Sequence, residues 1–212
     1  MADIQSTSAA APHIVQREDY TPPAWRVPDI AMEFDLDPAR TVVRARLSVV
    51  RDGAGPLVLD HGGQEMRSVR ADGAPADHRL TDTQLTIDLP GDTHLIEIEC
   101  VLAPDRNTEL MGLYASGGLL CTQCEAEGFR KIIPFPDRPD VLSRYLVRMT
   151  ADKARFPVLL SNGDRTGAGD LPDGRHWAEW RDPFPKPSYL FALVAGDLQA
   201  DRKSTRLNSS HR

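Results

Sequence analysis

Pairs of turn-forming residues recur along this chain and cut it into segments of strand length. Asp37-Pro38, Asp72-Gly73 and Pro90-Gly91 each interrupt a run of alternating residues, and such pairs impose backbone conformations that regular structure does not continue. The runs between them are Ile30 to Leu36, Thr41 to Val50, Leu57 to Leu59, Met66 to Ala71, Gln84 to Leu89 and His94 to Leu102. Tyr145 to Ala151, Pro157 to Leu160 and Tyr189 to Ala195 extend the series. Alternation with period two predicts half-buried strands. The expected fold is all-β: a meander of short antiparallel strands forming a sandwich or saddle.

Three local features refine this reading. Asp137-Arg138-Pro139-Asp140 predicts a short helix, since Asp suits the cap and Pro the first turn. Asn162-Gly163 predicts a tight hairpin, because both central residues of that turn need positive φ. Asp182 to Pro187 holds three prolines, which remove backbone donors and predict an extended loop. His176, Trp177 and Trp180 are expected to pack into the core.

At 212 residues the chain supports one main domain. A net charge of -6 argues against general nucleic-acid binding. No apolar stretch approaches the ~20 residues that span a bilayer, so no membrane contact is expected. The N-terminal sequence lacks a basic leader before an apolar core, so a cytoplasmic location is expected. Three cysteines fit a reducing compartment. Cys121-x-x-Cys124 has no second such pair to complete a zinc site, and both thiols are expected to serve as small buried side chains.

From Cys121 to Lys131 the chain reads C-T-Q-C-E-A-E-G-F-R-K. As an extended segment it would place Cys121, Gln123, Glu125 and Glu127 on one face. An amide beside two carboxylates can receive an ammonium group, because carboxylates accept charge-assisted hydrogen bonds. A solvated polar face is the other reading, and the ordinary one for an isolated strand.

That segment resembles the substrate-anchoring strand of the bacterial aminopeptidase N family, zinc metallopeptidases of the gluzincin class. The resemblance extends, in order, through G-L-Y-A-S-G (from Gly112), D-R-P-D-V-L (from Asp137), L-L-S-N-G (from Leu159) and D-P-F-P-K-P-S-Y-L-F-A-L-V-A-G-D (from Asp182). It implies that residues 16–200 form the family's N-terminal β domain; residues 1–15, small and polar, are expected to be disordered. It further implies that Glu125 helps bind the free α-ammonium of a peptide, while Gln123 lines the pocket for the first side chain. Glu127 receives no role in substrate contact.

The family's zinc is held by the two histidines of H-E-x-x-H and a downstream Glu, with the motif's Glu as general base. Neither that motif nor the family's G-A-M-E-N motif occurs, and no two of the six histidines are four residues apart. The resemblance therefore implies a fragment that is inactive alone, with no metal or catalytic residues of its own. Its expected partners are peptide substrates and a missing catalytic domain in cis, and a monomer is expected. A stand-alone β-sandwich module that binds protein or carbohydrate is the alternative.

Residues 201–212, D-R-K-S-T-R-L-N-S-S-H-R, resemble the translation of a sequencing-library adapter and are expected to be artefactual. Without them the chain carries 21 Lys and Arg against 30 Asp and Glu, a net charge of about -9.

Overall fold

Alternating side chains make most of this chain strand. The computed structural model describes residues 16–199; the expected disordered segment and the adapter-like tail lie outside the described residues. The chain passes through β1 (Trp25–Asp35), β2 (Thr41–Arg51), β3 (Leu57–Asp60), β4 (Glu65–Ala71), β5 (Ala74–Pro75), β6 (His78–Leu80), β7 (Gln84–Ile87) and β8 (Thr93–Leu102). It continues through β9 (Gly112–Ser116), β10 (Leu119–Gln123), β11 (Leu142–Asp152), β12 (Val158–Ser161), β13 (Asp164–Asp170), β14 (Arg175–Pro187) and β15 (Leu193–Gly196). Helical structure among the described residues is confined to single 3₁₀ turns, such as Phe129–Lys131 and Ser188–Leu190. No described helix is long and apolar enough to cross a membrane.

These strands form three sheets, one of eight strands in the order β13-β14-β11-β1-β2-β8-β4-β5, one of four (β12-β15-β10-β9) and one of three (β3-β7-β6). The turn signals act as expected in several places. Asp37 Oδ1 accepts the amides of Ala39 and Arg40 at 2.8 and 3.1 Å, closing the β1–β2 connection. Asp72 and Gly73, at φ 52° and 79°, form the two-residue link from β4 to β5.

The large sheet has one apolar and one charged face. On β1, β2 and β8, Ile30, Met32, Phe34, Val43, Ala45, Leu47, Ile96 and Ile98 are buried. Their neighbours face outward in cross-strand ion pairs, including Arg44–Glu99 at 2.6 Å and Arg144–Asp29 at 2.7 Å. The apolar face belongs to one hydrophobic cluster with Leu57, Leu59 and Ile87 of the three-stranded sheet and Leu120 and Leu193 of the four-stranded one. This is sheet-on-sheet packing, and each fully buried aliphatic side chain contributes roughly 1.5–3 kcal/mol.

Six expectations need correction. The topology is not a pure antiparallel meander, because β1 pairs with β11 in parallel, Ile30 lying beside Tyr145. Asn162-Gly163 closes no hairpin: β12 pairs with β15 and β13 with β14, so the turn passes the chain between sheets. The Asn162 amide instead bonds the approach to β15, donating to Leu190 O at 3.1 Å and accepting from Ala192 N at 2.7 Å. No helix follows Asp137, whose carboxylate turns inward and caps nothing downstream; residues 138–141 form turns. The proline-rich stretch is extended but lies within β14, where Lys186 pairs with Ser143. Tyr189 falls in a 3₁₀ turn, so the last strand starts at Leu193, and Trp177 lies half-buried outside the core cluster beneath the Arg148 guanidinium, 3.8 Å from its ring.

Candidate functional site

The β9–β10 hairpin carries Gln123 to its place. Gly117 and Gly118, at φ 57° and 83°, make the two-residue turn that pairs Ser116 with Leu119. Beyond it β10 is pinned on its other side by β15, with Leu120 opposite Ala195. The Thr122 hydroxyl accepts the Leu193 amide at 2.9 Å, reinforcing that pairing. Regular pairing stops at Gln123, opposite Gly112, and residues 125–128 form a turn.

Glu125 and Glu127 therefore do not continue the alternating face expected of a strand. Both sit in the turn, exposed, as does Ala126, while Cys124, Gly128 and Phe129 are buried behind them. The turn closes through the Gly128 amide on Cys124 O at 2.8 Å. Phe129 plugs its rear into the core, edge-on to Phe135 and Phe191 at centroid distances of 5.0 and 5.2 Å. The glycine is sterically required, since a Cβ on Gly128 would lie 2.1 Å from the carbonyl oxygen of Gln123.

Gln123 and Glu125 are brought together all the same. Gln123 Nε2 donates to the main-chain oxygen of Glu125 at 3.0 Å. Among the described residues nothing bonds the Glu125 carboxylate, which leaves it free for a cation. Glu127 is differently placed, 3.4 Å from the Arg130 guanidinium.

Arg130 leads into a network that the motif reading did not include. Asp137 Oδ2 accepts both the Arg130 backbone amide and its Nε at 3.1 Å. The other Asp137 oxygen accepts the Ser188 hydroxyl, and Asp60 Oδ2 accepts the Asp137 amide at 3.2 Å. A buried carboxylate with several donors is a fixed point in a fold. The sequence signal for it was the invitation of D-R-P-D to an N-cap, which named Asp137 for the wrong partner.

No disulfide joins the cysteines among the described residues. Cys100, Cys121 and Cys124 are free. Burial pushes the Cys100 and Cys124 thiols up to about 12, with the nearby charges of Glu99 and Asp137 adding to it. Burial likewise raises the Tyr145 hydroxyl, the ring of which lies 4.7 Å beneath Lys186 Nζ. Lys186 is itself lowered by desolvation, against the opposing pull of Asp182. Among the described residues no group of three or more His, Cys, Asp or Glu can hold a metal ion.

A cleft of about 590 Å³ runs past Arg40, Gln64, Arg106, Glu109 and Lys131 and does not include the exposed pair.

The Peptidase M1 N-terminal domain model matches residues 56–190. The chain belongs to the peptidase M1 family. Aminopeptidase N of Haemophilus influenzae is 51% identical over 188 residues, and that of Caulobacter vibrioides 52% over 192. These alignments take in 86% and 88% of this chain but 22% of each relative, so the M1 chain spans about a fifth of the curated relatives' length. A solved structure of Legionella pneumophila aminopeptidase A in complex with aspartic acid aligns with a TM-score of 0.81 at 36% identity, covering 86% of this chain and 22% of that one. An M1 zinc metallopeptidase from Deinococcus radiodurans shares the fold, with a TM-score of 0.71 at 18% identity over 82% of this chain and 42% of that one. The chain is thus homologous to the N-terminal β domain of bacterial aminopeptidase N.

Proposed function

We propose that this domain is the amine-reading part of a zinc-dependent aminopeptidase N. The observation that carries the proposal is the exposed Gln123–Glu125 pair, joined by a hydrogen bond and leaving the Glu125 carboxylate without a partner among the described residues. In the complete enzyme Glu125 binds the α-ammonium of a peptide, and Gln123 borders the pocket for its first side chain. Anchoring the amine sets how far the scissile bond lies from the chain end, which makes an exopeptidase. A carboxylate paired with a partly desolvated ammonium is worth ~2 to 5 kcal/mol when truncation leaves the charge alone.

The M1 zinc has no fitting ligand set among the described residues, and no chemical step is assigned to this domain. The metal and the general base belong to the catalytic domain that the complete enzyme supplies in cis. Peptides are its substrates, and the fragment alone is inactive.

The gene beyond codon 200 tests this reading. An in-frame continuation containing H-E-x-x-H and G-A-M-E-N is expected. A native stop codon there would instead favour a stand-alone binding module.

A further inference from the structure

Asp137 is the most heavily engaged buried carboxylate among the described residues, and its bonds to Arg130 lead toward the exposed turn. Its side chain is 1% exposed. One oxygen takes the backbone amide and Nε of Arg130, and the Asp137 main-chain oxygen takes Nη2 of the same guanidinium at 3.1 Å. Two bonds to one guanidinium and one to its own backbone fix both the side chain and the local main chain.

From there the path to the candidate site is short. Arg130 lies in the 3₁₀ turn that directly follows residues 125–128. Its guanidinium reaches back to Glu127 at 3.4 Å, so it grips the turn from the exposed side while Phe129 grips it from the core. On its far side Asp137 is tied to Ser188, fully buried at the head of the turn leading to β15, the strand that pairs with β10. One carboxylate thus braces the residues after Glu125 and the strand beside Gln123.

We propose that Asp137 is a positioning residue for ammonium recognition, holding the Glu125 turn in place through Arg130 without touching substrate. This rests on the reading of Glu125 as the amine anchor. A recognition group works only when its support fixes it to within about 0.5 Å, and a displacement of ~1 Å can cost on the order of a hundredfold. The Glu125 turn is exposed, and among the described residues no hydrogen bond or ion pair holds the Glu125 carboxylate, so its aim depends on such a support.

The test uses the complete enzyme and a pair of competitive inhibitors, an amino-acid amide and its desamino analogue. The ratio of their inhibition constants reports ammonium recognition and not general integrity. Asp137→Asn preserves shape and an acceptor but removes the charge, and it is expected to lower the ratio roughly tenfold with metal content unchanged. Combined with Glu125→Ala it should lower the ratio no further than Glu125→Ala alone, because both act through one carboxylate.

Arg130→Met is the second variant, should Asp137→Asn fail to fold, and it is expected to move the ratio in the same direction. If Glu125→Ala collapses the ratio while these variants preserve it, the positioning role is overturned and the anchor reading stands. If Glu125→Ala itself preserves the ratio, the anchor reading fails and the positioning role fails with it.

Discussion

Gln123 donates its side-chain amide to the main-chain oxygen of Glu125 at 3.0 Å, tying the end of β10 to the turn that follows. Because the amide is neutral, Gln123→Ala is expected to cost the complete enzyme only ~0.5 to 1.5 kcal/mol in transition-state stabilisation. The effect should vary with the first residue of the substrate. Comparing kcat/KM across substrates with different N-terminal residues checks this, and a uniform loss of several kcal/mol would contradict it.

Gly128→Ala isolates a steric constraint. Gly128 has φ of −84°, a value any residue adopts, so its freedom of conformation is not what the fold needs. The added Cβ would meet Gln123 O at 2.1 Å and Cys124 Cα at 2.9 Å, both main chain and unable to swing aside. Denaturant unfolding should show a loss of about 1 to 3 kcal/mol. An unchanged midpoint would mean the turn has room that its geometry denies.

Alkaline pH should weaken the domain. Burial holds the Cys100 and Cys124 thiols neutral, raising them from 9.0 to about 12. Between those values the unfolded chain releases protons that the folded chain keeps, so stability falls as pH rises through that window and is unaffected below it. Urea midpoints at pH 8 and pH 11 should differ, and Cys124→Ala should reduce the difference. In the native state an alkylating reagent should reach half-buried Cys121 first, read by mass mapping.

The purified chain is expected to bind no stoichiometric zinc and to release no amino acid from aminoacyl reporters. A catalytic zinc needs three protein ligands, and no such cluster exists among the described residues. Metal analysis giving one zinc per chain together with hydrolysis would contradict this.

Much of this fold was legible because period-two alternation and turn pairs are local signals. Thr41 to Val50 became β2 almost to the residue, and Asp72-Gly73 became a hairpin link. Asn162-Gly163 misled because turn chemistry fixes the backbone at two residues and says nothing about which sheet comes next; here the Asn162 amide serves the Ala192 side. The parallel β1–β11 pair joins segments more than a hundred residues apart, beyond any local pattern. At the site, alternation held as far as Gln123. It failed at Glu125, where Gly128 packs against Gln123 and bends the chain. Gly117-Gly118 was an available hairpin signal, whereas the Asp137–Arg130 bracing needs tertiary structure to be seen.

If Glu125 anchors the substrate amine, removing its carboxylate should penalise only substrates that carry that amine. In the complete enzyme, kcat/KM of Glu125→Ala is compared with the parent on a substrate with a free α-amine and on a matched one lacking it, alongside zinc analysis. A loss of ~2 to 5 kcal/mol confined to the free-amine substrate is expected, with zinc content intact. Parental turnover of the free-amine substrate, or a loss of zinc, would contradict it.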